Sequence, residues 1–126
     1  MVKNPVAWFE IYVDDMPRAI AFYQSVFNVQ LEKMDNPAAN EIEMWGFPSN
    51  MEQYGVTGAL AKMNGVSAGA GGTLVYFSCE DCAIEEARVV SSGGSIQQSK
   101  MAIGEYGFMT LATDTEGNMF GLHSMH

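Results

Sequence analysis

Two side chains in this chain stand out for what they can do to a proton. Glu10 lies in the middle of the apolar run from Val6 to Val13. An acid so placed is pushed toward its protonated form by burial, which suits a general base or a cation holder. The bland alternative is an exposed or ion-paired carboxylate. Two residues on, Tyr12 brings a hydroxyl that can donate to a developing oxyanion. His123, near the other end, offers an imidazole as base or metal ligand, or else a solvated ring near a chain terminus. Glu10, Tyr12 and His123 are the candidate catalytic set. Trp8, Trp45, Tyr76 and Tyr106 offer flat faces for stacking on a planar or cationic ligand, with Ser78 and Met119 as further contacts. Core packing is the competing role for Trp45. The only cysteines, Cys79 and Cys82, are spaced as a redox pair or half a zinc site, but no second ligand pair completes one. They are read as packing residues.

These side chains need elements to aim them. Val6 to Val13 alternates as a half-buried strand, with Phe9, Ile11 and Val13 on a helix-covered face and Trp8, Glu10 and Tyr12 on the other. Asp15 is then an N-cap and Pro17 a first-turn residue. Met16, Ala19, Ile20, Tyr23, Val26 and Phe27 recur at helical spacing, and the helix stops near Asn28. Leu31 to Met34, Glu41 to Phe47 and Val56 to Met63 read as strands parted by Asn36-Pro37 and Pro48-Ser49-Asn50.

The plan then repeats. Aligning Asp15 on Asp81 superposes Phe9 to Met16 on Val75 to Cys82, an alternating strand that ends in acids and opens a helix. Residues 1–63 form the first βαβββ module, 64–72 a glycine-rich flexible connector and 73–126 the second module, together one compact domain. In the second module Thr73 to Cys79 is the strand. Ala83, Ile84, Ala87 and Val90 are the expected buried side of its helix, Arg88, Glu85 and Glu86 a solvated side, and Gly93-Gly94 the stop. Ser95 to Gln98, Gly107 to Thr113 and Met119 to Ser124 complete it. Asp114 to Asn118 is a turn in which Gly117 and Asn118 can take positive φ. By alternation Leu74, Tyr76, Ser78, Met119, Gly121 and His123 face away from the helix, and Gly104-Glu-Tyr-Gly107 is a loop or bulge. The expected class is α+β, two tandem βαβββ modules forming a curved, cup-like mixed sheet with helices outside.

A duplicated βαβββ unit with Phe22-Tyr23 in its first helix, a Gly-Gly turn after the second and Asp-Thr-Glu-Gly-Asn before the last strand resembles the vicinal oxygen chelate superfamily. That group includes glyoxalase I, bleomycin-resistance proteins, fosfomycin-resistance enzymes and extradiol dioxygenases, and the resemblance runs from Pro5 to His123. It implies a ligand in the concave face, often where two chains meet, hence a homodimer. It also implies a divalent metal on His and Glu ligands. Those positions fall here on Trp8, Leu74, Gly121 and the Ala59-Leu60 pair, none of which supplies a ligating side chain. No metal and no other cofactor are therefore expected, unless Glu10 and His123 form a relocated pair with Glu43 or Glu105.

Composition narrows the partner. A net charge of −9 with six Lys and Arg excludes a phosphate backbone and favours a neutral or cationic small molecule. No apolar run approaches bilayer length and no signal-type stretch opens the chain, so a cytoplasmic protein is expected. No phosphate-cradling loop or nucleophile elbow is present. The readings that remain are a ligand-binding protein of the bleomycin-resistance type, a metal-independent lyase or isomerase using Glu10, and a metal-dependent lyase or dioxygenase with relocated ligands.

Overall fold

The computed structural model describes residues 4–35 and 41–126; the expected Asn36-Pro37 break lies outside them. Eight strands and two helices follow in the order β1 (Val6–Tyr12), α1 (Met16–Phe27), β2 (Glu32–Met34), β3 (Ile42–Gly46), β4 (Gly58–Met63), β5 (Thr73–Ser78), α2 (Cys82–Ser91), β6 (Ser95–Ala102), β7 (Phe108–Thr113) and β8 (Met119–Ser124). They are α+β, βαβββ twice. Two compact units emerge: Trp8–Thr73, and Met1–Ala7 with Leu74–His126.

In the first unit the strand order is β2-β3-β4-β1, with β1 parallel to β4 and the other pairs antiparallel. Asp15 caps α1 by accepting from the Arg18 N–H, and Asn28 closes it in the left-handed region at φ 54°. Met16, Val13, Leu31 and Leu60 form the core between α1 and the sheet, joined by Ile11, Ala19, Ile20 and Tyr23. Val26 and Phe27 were expected in that stripe, yet both are exposed. Residues 64–72 contain no helix or strand. They are tied down at Asp14, whose Oδ1 accepts from the Ala68 N–H, and at the Gly72 carbonyl, which accepts from the Tyr12 N–H at 2.6 Å.

The second unit repeats the frame as β5-β8-β7-β6, with β5 parallel to β8. Asp81 caps α2 through the Ala83 N–H, and Cys82, Cys79 and Leu122 form its core with Phe108 and Phe120. The expected sides of α2 are exchanged except at Arg88, which is exposed as expected. Ala83, Ile84, Ala87 and Val90 are exposed, while Glu85 and Glu86 are half-buried. The reason is a set of donors beneath the helix: Glu86 Oε1 accepts from the Lys100 N–H at 2.7 Å and from Thr110 Oγ1 at 2.9 Å, and Thr110 is fully buried. Lys100 Nζ reaches the capping Asp81 at 2.8 Å and lies 4.6 Å from the Phe108 ring centroid. This cation's hydrogen bond, with that of the Ala83 N–H, holds the Asp81 carboxyl below its usual range.

β6 runs four residues beyond the expected Gln98, and its pairing with β7 shifts register between Ile96 and Gln98 and again between Gln98 and Met101. Those irregularities break the alternation that marks a strand. Residues Gly104–Tyr106 make a single 3₁₀ turn. At the Asp114–Asn118 turn, Gly117 alone takes positive φ (87°), and the Asp114 carboxylate, bonded to the Asn118 and Glu116 N–H groups, is held below its usual range.

Candidate functional site

On β1, residues two apart share a face, so Trp8, Glu10 and Tyr12 project together away from α1. They pack against Met44, Ala59 and Ala61, flanked by Met34 and Ile42, a patch separate from the helix-side core. Glu10 is buried at 7% exposure. Trp8 Nε1 donates to Glu10 Oε2 at 3.1 Å and Tyr12 Oη donates to Oε1 at 3.0 Å. Opposite Glu10 on the parallel strand stands Ala59, whose small side chain leaves room for the carboxylate. Burial, and then the charge and hydrogen bond of Glu10, raise the Tyr12 phenol above its ordinary 10.0. Its O–H therefore stays a donor across the neutral range.

The other candidates in this unit do not join that patch. Trp45 is on the α1 side of β3, packed against the core of Val13, Met16, Leu31 and Leu60. Its indole N–H is spent on Glu43 Oε2 at 2.9 Å. Glu43 and Trp45 pair with Lys62 and Leu60 of β4, whereas Glu10 pairs with Ala59, so register puts both on the face opposite Glu10. Neither stands beside it.

In the second unit, Tyr76 takes the place Glu10 has in the first. It is buried, and its ring lies over Gly121, its partner on β8. A Cβ on Gly121 would stand 2.2 Å from Tyr76 Cδ2, so the seat accepts glycine alone. Ser78 pairs with His123, both half-buried, and His123 Nε2 contacts the Tyr106 carbonyl at 2.6 Å. Tyr106 thus enters through its backbone, and the residue as a whole is 42% exposed. Met119, at the start of β8, is exposed.

The residues at the metal positions implied by the family resemblance do not fit a cation. Trp8 presents an N–H donor, Leu74 and the Ala59-Leu60 pair present carbon, and Gly121 lies under a tyrosine ring. Among the described residues no group of three or more His, Cys, Asp or Glu is arranged to hold a metal. No described helix is long and apolar enough to cross a membrane.

Known proteins place this architecture. Methylmalonyl-CoA epimerase from Mycobacterium tuberculosis is similar in structure with a TM-score of 0.70 at 13% identity, covering 100% of this chain and 93% of that one. A hypothetical protein from Bacillus halodurans gives 0.71 at 10%, covering 97% and 95%. The Streptomyces coelicolor methylmalonyl-CoA epimerase bound to 2-nitronate-propionyl-CoA gives 0.68 at 14%, covering 96% of each. At such identities the likeness is one of fold. None of the curated proteins matches the sequence. The model of the Glyoxalase/Bleomycin resistance protein/Dioxygenase superfamily, however, matches residues 6–122, nearly the length over which the two βαβββ units run, and the chain belongs to that superfamily.

Proposed function

We propose that this protein binds a small organic molecule on the sheet face that carries Trp8, Glu10 and Tyr12, and does so without the His and Glu metal set of its superfamily. The observation that carries the reading is the side chain of Glu10 itself: an acid kept at 7% exposure, oriented by an indole and a phenol on either side. A buried acid held between aromatic donors is the kind of group that clusters at functional sites. A neutral or cationic ligand suits both the acid and the net charge of −9. The protein's expected solution form is a homodimer. Native mass spectrometry of protein purified without chelator tests the reading. A metal-free species carrying an extra organic mass, lost in Glu10→Leu, is expected; a stoichiometric metal would overturn it.

A second reading is favoured by Tyr12. With its phenol held protonated beside Glu10, the pair has the parts of a metal-independent isomerase or lyase. The Glu10 carboxylate would take a proton from carbon next to a carbonyl, and Tyr12 would swing its O–H to the enolate oxygen. The epimerases named above share the fold, which supports this chemistry by analogy only. Glu10→Gln separates the two readings: affinity kept with turnover lost marks a base, and retained turnover removes Glu10 from the chemistry.

A further inference from the structure

An asparagine followed by glycine is prone to attack by its own backbone, because glycine has no Cβ to keep its nitrogen away from the neighbouring side-chain amide carbon. The chain contains this pair once, Asn64-Gly65, directly after β4. The bend there is a type II turn: the Val66 N–H donates to the Met63 carbonyl at 3.2 Å, Asn64 keeps negative φ and Gly65 takes φ 86°. Both residues are exposed, and a Cβ on Gly65 would meet nothing within 4 Å. Among the described residues, neither the Asn64 side chain nor the Gly65 N–H has a hydrogen-bond partner. The one bond across the turn is what must open for the Gly65 nitrogen to swing onto Asn64 Cγ. The other described asparagines are held or blocked. Asn4 precedes Pro5, which has no N–H. Asn28 precedes the β-branched Val29, whose N–H donates to the Gln24 carbonyl. Asn50 Oδ1 accepts from the Glu52 N–H and Asn118 Nδ2 donates to Asp114 Oδ2, and each precedes a methionine.

We infer that Asn64 is a self-modification site, converted to isoaspartate and aspartate with water as the only co-reactant. The Gly65 nitrogen bonds to Asn64 Cγ and gives up its proton, the Cγ–Nδ2 bond breaks, and ammonia leaves. Water then opens the succinimide at either carbonyl, and nothing is oxidised or reduced. Opening at the carbonyl beside the nitrogen-bearing carbon, the more electrophilic of the two, routes the backbone through the side chain. It adds one carbon between β4 and the segment that Asp14 holds at Ala68. Either product adds a negative charge to a chain already at −9. The test incubates the folded protein in mildly alkaline buffer and follows it by isoelectric focusing. A more acidic form is expected to accumulate, faster as pH rises because base removes the Gly65 amide proton. Peptide mass mapping is expected to place the amide-to-acid change on residue 64, and Edman degradation to stall there in the larger share of product. Gly65→Ala is expected to slow the change by about tenfold or more. Asn64→Gln, which must close a larger ring, is expected to do the same and leaves Gly65 at its own φ should the alanine disturb the turn. A residue 64 that stays an amide, earlier modification of another asparagine, Edman passage through every product molecule, or an undiminished rate in Asn64→Gln would overturn the inference.

Discussion

The two units spend the same position in opposite ways. Glu10 and Tyr76 are matching residues of the repeat, each facing away from its helix and each paired across a parallel ladder with a small residue of the closing strand, Ala59 or Gly121. In the first unit the centre is a carboxylate and its neighbours two residues away are the aromatic donors Trp8 and Tyr12. In the second the centre is the aromatic ring, and the neighbours are Leu74 and Ser78. The partner follows the occupant: a methyl group tolerates a carboxylate, and a ring laid flat tolerates only hydrogen. Duplication conserves backbone spacing while leaving the two faces free to acquire unlike chemistry.

The largest effect on this comparison should come from the seat. Gly121→Ala forces a methyl group into the Tyr76 ring and is expected to cost about 3 kcal/mol in urea unfolding. In a Tyr76→Ala background, where the ring is gone, the same Gly121→Ala change should cost far less. Ala59→Gly, the mirror change, is expected to cost only about 1 kcal/mol, through backbone freedom. Equal costs would mean that the two seats are equivalent after all.

The helices offer the next contrast. Aligned on their caps, Met16, Ala19, Ile20 and Tyr23 of α1 correspond to Cys82, Glu85, Glu86 and Val89 of α2, and those are the stripes that pack inward. Ile20 is held by apolar contact, Glu86 by the Thr110 hydroxyl and the Lys100 N–H. Glu86→Ala leaves a fully buried hydroxyl unpaired and should cost about 2 kcal/mol by the same measurement. The double variant Glu86→Ile with Thr110→Val copies the first unit's solution and should recover most of it. If it recovers nothing, the Lys100 amide is the partner that matters.

The same alignment explains what could be read from sequence. Strand β1, both caps and the repeat itself were legible because each rests on local chemistry: alternation, an Asp before a Pro or Ala turn, an acid pair at a strand end. The Trp8, Glu10 and Tyr12 cluster was legible for the same reason, since alternation alone puts them together. Periodicity within α2 was misleading, because Ala83, Ile84, Ala87 and Val90 face solvent while Glu86 faces donors on β6 and β7, strands later in the chain. The repeat held the right answer for α2, and the hydrophobic pattern overrode it. Trp45 could not be assigned a side without the β3–β4 register, and the Tyr106 carbonyl has no side-chain signal at all.

The smallest expected effect concerns alkali. Tyr12 in the folded chain keeps its proton more tightly than in the unfolded chain, so its contribution to stability is complete below the ordinary phenol range and is lost as pH rises through and beyond it. Wild type should therefore lose stability above about pH 10 relative to Tyr12→Phe. Spectrophotometric titration, compared with that of Tyr12→Phe, should show that Tyr12 resists ionisation. A Tyr12 phenol that ionises in the ordinary range would mean that neither burial nor Glu10 holds its proton.

The irregular pairing of β6 has a consequence for how this chain keeps to itself. β6 is the outer strand of its unit, and an outer strand eight residues long with open backbone groups is a template for recruiting further chains into a fibril. Two register shifts within it interrupt the ladder on its paired side, and the local twist they add spoils the straight edge that a newcomer would need. The outer strand of the first unit reaches the same end by brevity, with three residues, two of them the charged Glu32 and Lys33. A chain 48% hydrophobic thus keeps both outer strands poor at nucleating aggregation.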